Sequence, residues 1–482
     1  MRQFLAVTLC GFLVLPATSG NSAVAGRERE RAAHVLNRLA FGARPGEIDR
    51  VARMGVDRWI AGQLQPEKIS DTAIEQTLAR YRTLSWSTSR IMKEVYQPLV
   101  TARRRAQRDG DDVQDGSMRE LRREAQRVVG DLSAQRILRA AASERQLNEI
   151  MVDFWMNHFN VFAGKSIDRF LLTSYERDTI RPHIWGSFEE LLLASARSPA
   201  MLFYLDNARS RRGGINENYA REIMELHSLG VDGGYTQKDV SELARVLTGW
   251  SIDRKRGNFV FRPALHDRDA KTVLGIRLPA GGGIKEGERM IRALAAHPST
   301  AKHIARKLAE RLVSDDPPPA LVNRVAERFT ATRGNLRETV KALVTSPEFN
   351  DPRYYRVKVK SPFEYTISAV RAVGGQIENP IPLAQQLKKM GQPLYFAQAP
   401  TGYGDDAASW VNSGALVERI NFAIALTGNT IPGIRVPEVA DPLRLAGVAL
   451  SEDTLKVIAD RKTDDPAAIA GLVIGSPEFQ RQ

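Results

Sequence analysis

The stretch from Gly213 to Asp253, GGINENYAREIMELHSLGVDGGYTQKDVSELARVLTGWSID, constrains the fold more than any other part of the chain. Apolar residues recur in it at helical spacing twice, on either side of a glycine-rich turn, so it has to form two helices that each bury one face. The first is expected from Asn216 to Leu229, with Gly230 as the left-handed residue just beyond the helix. The second follows Thr236, which with Asp239 three residues on approximates a capping box. Tyr219, Ala220, Ile223, Met224 and Leu226 share one side of the first helix, and Asn218, Arg221, Glu222 and Glu225 share the other. His227 falls on the apolar side, whereas Glu222 and Glu225 face water or a polar surface. The plain reading of Glu217, Arg221 and Glu225 is a set of i,i+4 ion pairs.

A second stretch, RQLNEIMVDFWMNHFNVFAGK, is apolar nearly all round and has to be buried. Asp153, Asn157 and Asn160 share one side of it, and buried polar groups need partners. This helix therefore meets other polar groups inside the protein or lines a cleft. That makes His158 the leading candidate for a functional imidazole, with a core histidine as the plain alternative.

The chain opens MRQFLAVTLCGFLVLPATSGNSAVAGRE: a basic residue, an apolar run from Phe4 to Pro16, then Ala23-Val24-Ala25 before Gly26. This is the pattern of a secretory signal occupying residues 1–25. Cys10, the only cysteine among the 482 residues, lies within it, so the exported chain would hold neither disulfides nor thiolate ligands. Leu9 precedes Cys10, which argues against lipidation, and no later segment is apolar enough for a spanning helix. Such a chain suits a bacterial envelope, in the periplasm or outside the cell. The net charge of +13 favours anionic partners, and export makes genomic nucleic acid the least fitting of them.

Four regions follow the signal. Residues 26–146 are charged helices, in which Arg103, Arg104, Arg105, Arg119, Arg122, Arg123 and Arg127 flank an acidic loop expected from Asp109 to Ser117. A solvated helix face is the ordinary meaning of such a run, and an anion-binding surface is the functional one. Residues 147–275 hold both stretches described above, and Asp206 there is open to two readings, a ligand or a helix N-cap, the cap being the ordinary one. The region ends in the one clear β signal, a small hairpin near 258–275. Its two runs, Asn258–Phe261 and Lys271–Leu274, flank a loop with His266 and Asp267, a pair compatible with metal or acid–base work and with an ordinary turn. Residues 276–350 and 351–482 are again helical, each with a helix followed by Ser-Pro-Glu-Phe, at 346–349 and 476–479. An aromatic, glycine- and proline-rich loop, MGQPLYFAQAPTGYGDDAASWVN, reads as a binding element or lid. The expected class is mainly α, a multi-lobed helical protein with one small β-hairpin.

HVLNRLAFGARPGE, FWMNHF, NENYAREIMELHSLGVDGGYTQKDV with ARVLTGW, LHDRDAKTVLG, GQPLYFAQAPTGY and SWVNSGALVERINF occur in this order. In these motifs the chain resembles the bacterial family of domains of unknown function numbered 1800. The resemblance implies an exported protein with no established reaction. It also implies a possible partner, since a second exported, sulfatase-like family is often encoded nearby. It defines no catalytic residue, although its pattern includes His158, Asn218, Glu222, Glu225, His227, His266 and Asp267. Tyr403-Gly404 departs from the Gly-Trp-Pro that members often show.

Two functional readings follow. One is an envelope hydrolase in which His158, His227 and His266 act with Glu222, Glu225 and Asp267 as bases, acids or metal ligands. No recognised motif such as the zinc-protease or nucleophile-elbow pattern supports it, and neither metal nor cofactor is specified. The other is a non-catalytic binding or assembly factor for an acidic glycan or a partner protein. Histidines gathered in one cleft would favour the enzyme, and dispersed ones the binding factor.

Overall fold

The computed structural model describes residues 18–109, 116–445, 447 and 449–482. The expected mainly helical class is observed: helices follow one another from Thr18 to Gln480, and the described strands form three two-stranded antiparallel sheets. Among the described residues no helix is long and apolar enough to cross a membrane. The acidic loop expected at Asp109 to Ser117 falls largely on residues 110–115, outside the described residues; the helices on either side are Gln97–Asp109 and Gly116–Ala142.

The buried apolar side chains form one continuous cluster running from Ala32 to Phe479. At its centre lies the helix Gln146–His158, where ten residues, including Ile150, Met151, Phe154, Trp155 and His158, are buried. Its all-round apolar character thus matches its position. The opening helix, Thr18–Arg38, runs across the expected cleavage point, and Ala32, Val35 and Leu36, which it contributes to the core, all lie beyond Gly26.

Within the organising hairpin the helices are Asn218–Glu225 and Gln237–Val246. Tyr219, Ala220, Ile223 and Met224 are buried, as the period requires. Thr236 and Asp239 form the reciprocal capping box, and Gly230 takes φ +85°. Arg221 pairs with Glu217 at 3.5 Å, while Glu225 instead accepts from the Tyr235 hydroxyl at 3.4 Å.

Both expected β runs are strands, but they do not pair with each other. Asn258–Phe261 pairs with Trp250–Asp253, and Lys271–Val273 pairs with Ile276–Leu278. The second hairpin closes on Leu274 and Gly275, both at positive φ, 49° and 74°. Two positive φ values in a two-residue loop are the mirror-image turn whose twist matches paired strands, which makes the local partner the better one. Asp206 also departs from expectation. It sits at φ 63° without a side-chain cap and pairs with Lys165 at 2.9 Å. The two Ser-Pro-Glu-Phe segments do the same local job: Ser346 and Ser476 accept from the amides of Phe349 and Phe479, both buried.

Candidate functional site

The hairpin's first helix ends inside the protein, so its last carbonyls need donors. The closing turn is widened: the His227 amide reaches the Glu222 carbonyl at 3.0 Å and the Leu229 amide that of Met224 at 2.8 Å. This leaves the carbonyls of Leu226 and His227 to side chains. His303, from the helix Pro298–Leu312, donates Nε2–H to Leu226 at 3.1 Å. His158, at the end of the central helix, donates Nε2–H to His227 at 3.2 Å. A carbonyl acceptor sets the tautomer in both cases, with the proton on Nε2. The His158 ring lies 6.1 Å from that of His227 and 6.1 Å from that of His303, centre to centre. Gly230 permits the approach, since a Cβ there would stand 3.0 Å from His303 Nδ1.

Burial in this aromatic surround pushes all three imidazoles toward the neutral form. For His158 burial is the main cause, followed by repulsion from His303 and His227, and its pKa lies well below the usual histidine value. His227 is brought down to about 3, again chiefly by burial, and His303 is lowered for the same reason. His227 Nε2 has no hydrogen-bond partner among the described residues.

His266 and Asp267 belong to a separate network. His266 donates Nδ1–H to the Thr248 carbonyl at 2.8 Å, and its Nε2 faces Glu286 at 3.5 Å. Asp267 takes two bonds from Arg245, at 2.8 and 3.2 Å. Beneath them the buried Lys271 ammonium contacts the carbonyls of Asp267 and Asp269 and the Glu286 carboxylate, at 2.6, 2.8 and 2.8 Å. No hydrogen bond, ion pair or ring contact links this network to His158 or His227 among the described residues. The structure therefore gathers His158 and His227 with His303, and leaves His266 and Asp267 apart.

Glu222 and Glu225 are half-buried on the first helix of the hairpin. Burial, and secondarily the charge of Glu225, holds the Glu222 carboxyl above the usual range. Among the described residues, no group of three or more His, Cys, Asp or Glu side chains is arranged to hold a metal ion.

The polar side of the central helix opens on a different feature. Asp153 pairs with Arg136 and, at 2.9 Å, with Arg311, which reaches Glu364 at 2.8 Å. Asn157 clamps Tyr403 with two bonds of 2.8 Å, and Asn160 holds the carbonyls of Ala397 and Ala399 at 3.0 and 2.8 Å. The aromatic loop is thus fastened to the helix, with Gly402 at φ +71° directly over the Asn157 backbone. Between loop and helix is a small cavity of about 40 Å³ lined by Arg136, Asp153, Arg311, Glu364 and Asp405. A wider pocket of about 260 Å³ shares Tyr403, Gly404 and Asp405 with it and carries Lys307, Lys358, Glu310, Asp315 and Asp406. Burial raises the Asp405 carboxyl, against the pull of Arg311 and Lys307. With four carboxylates to two ammonium groups, this outer pocket does not suit an anion. The shared side of Asp153, Asn157 and Asn160 was visible in the sequence; Arg311, Glu364 and Asp405 carry no pattern that separates them from surface charges.

Anions find their complement elsewhere. The helices Gln97–Asp109 and Gly116–Ala142 pack on each other and carry Arg103, Arg104, Arg105, Arg119, Arg122 and Arg123, all exposed. None of these six has an ion-pair partner among the described residues, whereas Arg127 is held by Glu124 at 3.0 Å.

No curated protein and no solved structure matches the chain. A family model does match, over residues 34–481, which is nearly the whole length. The chain belongs to the family described as protein of unknown function DUF1800.

Proposed function

We propose that this protein is an exported binding factor of the bacterial cell envelope whose ligand is anionic, an acidic glycan being the best fit. The observation that carries the reading is the set of six exposed arginines on two packed helices, none of them paired with a carboxylate among the described residues. Guanidinium groups left without carboxylate partners are free for the paired hydrogen bonds they form with carboxylates and phosphates. The opening residues, with their apolar run and Ala-Val-Ala, support export to the periplasm or beyond it. The sulfatase-like exported proteins suggested by the family resemblance remain a candidate partner.

The test is binding of the mature chain to polygalacturonate at increasing salt. Binding that falls with salt, and that is lost in the variant Arg103→Ser, Arg105→Ser, Arg119→Ser, Arg122→Ser, supports the reading. Binding of equal strength in that variant sinks it.

A hydrolase reading has one observation in its favour. Glu222 carries a carboxyl raised by burial beside a second carboxylate, the arrangement by which neighbouring acids divide proton donor and acceptor roles. In it Glu222 is the proton donor and Glu225 its partner. The imidazoles do not add to it, because among the described residues no hydrogen bond or ion pair joins His158, His227 or His303 to the carboxylate of Glu222 or Glu225. Turnover of any envelope polysaccharide that disappears in Glu222→Gln would favour this reading over the binding factor.

A further inference from the structure

The helix Gly116–Ala142 lies against the helix Ile381–Lys389, and the two leave an apolar groove of about 360 Å³. Val129, Gly130, Ala384, Leu394 and Phe396 line it, and Arg169 and Lys388 bring cationic groups to it. Phe396 and Ile381 are 40% and 38% exposed, large apolar side chains left in water. The volume lies within the usual range of small-molecule sites. Gly130 sits in mid-helix, where glycine weakens the helix. Its missing side chain leaves the groove open, since the nearest atom to a Cβ there would be Ile381 Cδ1 at 3.9 Å.

The groove does not stop at its apolar end. Gln126, Val129, Gly130 and Ser133 line it from the arginine-bearing helix, at helical spacing. Continued toward the start of that helix, the same face reaches Arg122 and Arg123 and then Arg119. At 1.5 Å per residue, Arg122 lies about 6 Å and Arg119 about 10 Å along the axis from Gln126. Three exposed arginines therefore stand on the helix face that lines the apolar trough, just beyond its lining residues.

We propose that trough and arginines form a single site for an anionic lipid. The acyl chain lies between Val129, Gly130 and Ala384, and the acidic headgroup rests on Arg119, Arg122 and Arg123. The proposal rests on the anion-binding reading and narrows it: the ligand carries an acyl chain as well as negative charge. Arginines alone would be indifferent to a chain, and a groove alone to a headgroup. Their continuity on one face selects molecules with both.

The experiment is calorimetric titration of the mature chain with dodecyl phosphate below its micelle concentration, alongside butyl phosphate and dodecyl maltoside. Dodecyl phosphate is expected to bind at least about tenfold more tightly than either control, through the extra apolar surface it buries and the charge the maltoside lacks. Gly130→Leu, which fills the trough with a good helix former, should reduce its affinity to that of butyl phosphate. Ala384→Leu on the facing wall is the second variant, should the first fail to fold. Equal binding of dodecyl phosphate to wild type and both trough variants overturns the proposal, as does equal binding of dodecyl maltoside. If polygalacturonate still binds through the arginines in that event, only the lipid inference fails; if it does not, the anion-binding reading fails with it.

Discussion

The His158 imidazole donates its Nε2 proton to the carbonyl of His227, a residue 69 positions away, across 3.2 Å. One histidine thus closes the end of the helix that carries the other. The contact gives a buried imidazole a structural use that neither catalysis nor metal binding requires.

His158→Ala should destabilise the protein by about 2–4 kcal/mol, from the cavity left by a buried ring and from the unsatisfied His227 carbonyl. His303→Ala should do so less, because that ring is only half-buried. Urea unfolding of both variants measures this. A His158→Ala protein as stable as wild type would show that the cap carries no load.

Acid should unfold the protein from about pH 6.5 downward. His34 and His227 are each lowered to about 3, and His158 and His303 are lowered too, all mainly by burial. Above pH 6.5 both states are neutral at these sites. Below it the unfolded chain takes up protons that the folded one refuses, so stability is lost as pH falls toward the folded values. Each group contributes up to about 1.4 kcal/mol per pH unit. Asp168, Asp405 and Glu222, all raised by burial, work in the opposite sense between their raised values and the ordinary carboxylate range, and soften the slope. Urea midpoints at pH 7, 6 and 5 should fall steadily; a flat profile would contradict the burial of these rings as neutral groups.

Arg311→Met should cost about 3–5 kcal/mol, because it strips a cation from Asp153 and Glu364, both largely buried. Adding Glu364→Gln to it should recover part of the loss. Thermal unfolding of the single and double variants reads the coupling, and strictly additive losses would mean that the two side chains do not act as a pair.

Gly402→Ala should loosen the aromatic loop. A Cβ there would stand 2.5 Å from the Asn157 carbonyl oxygen, at a φ of +71° that suits glycine. The strain should cost about 1–3 kcal/mol and release Tyr403 from Asn157. Faster cleavage between Pro400 and Trp410 in limited proteolysis is the expected result, and an unchanged cleavage pattern the contrary one.

The exported protein should begin at Gly26, leaving Gly26 to Arg38 to close the core through Ala32, Val35 and Leu36. N-terminal sequencing of the protein recovered from the periplasm or medium decides this; recovery with Met1 intact from the cytoplasm would end the export reading.

What the sequence determined by itself was what forms within a few residues. The 3.6-residue period marked the buried faces of the hairpin, the Thr236–Asp239 box marked a helix start, and the all-apolar Gln146–His158 segment marked the centre of the core; the first hairpin helix ends at Glu225, short of the Leu229 expected before Gly230. These depend on the chain's own backbone and nearest neighbours, so the residues there suffice. The tertiary structure alone decided which histidines meet. His303 joins His158 and His227 because the Pro298–Leu312 helix packs across the end of the hairpin helix, placing its ring 77 positions from the Leu226 carbonyl it caps. His266 was the more natural guess, lying beside an aspartate in a loop, but Lys271 and Glu286 hold that loop in a network of its own. The ion pairs of Arg311 were hidden for the same reason. A buried charge and a solvated one look alike in sequence, and only the packing of distant helices tells which carboxylates a guanidinium will face.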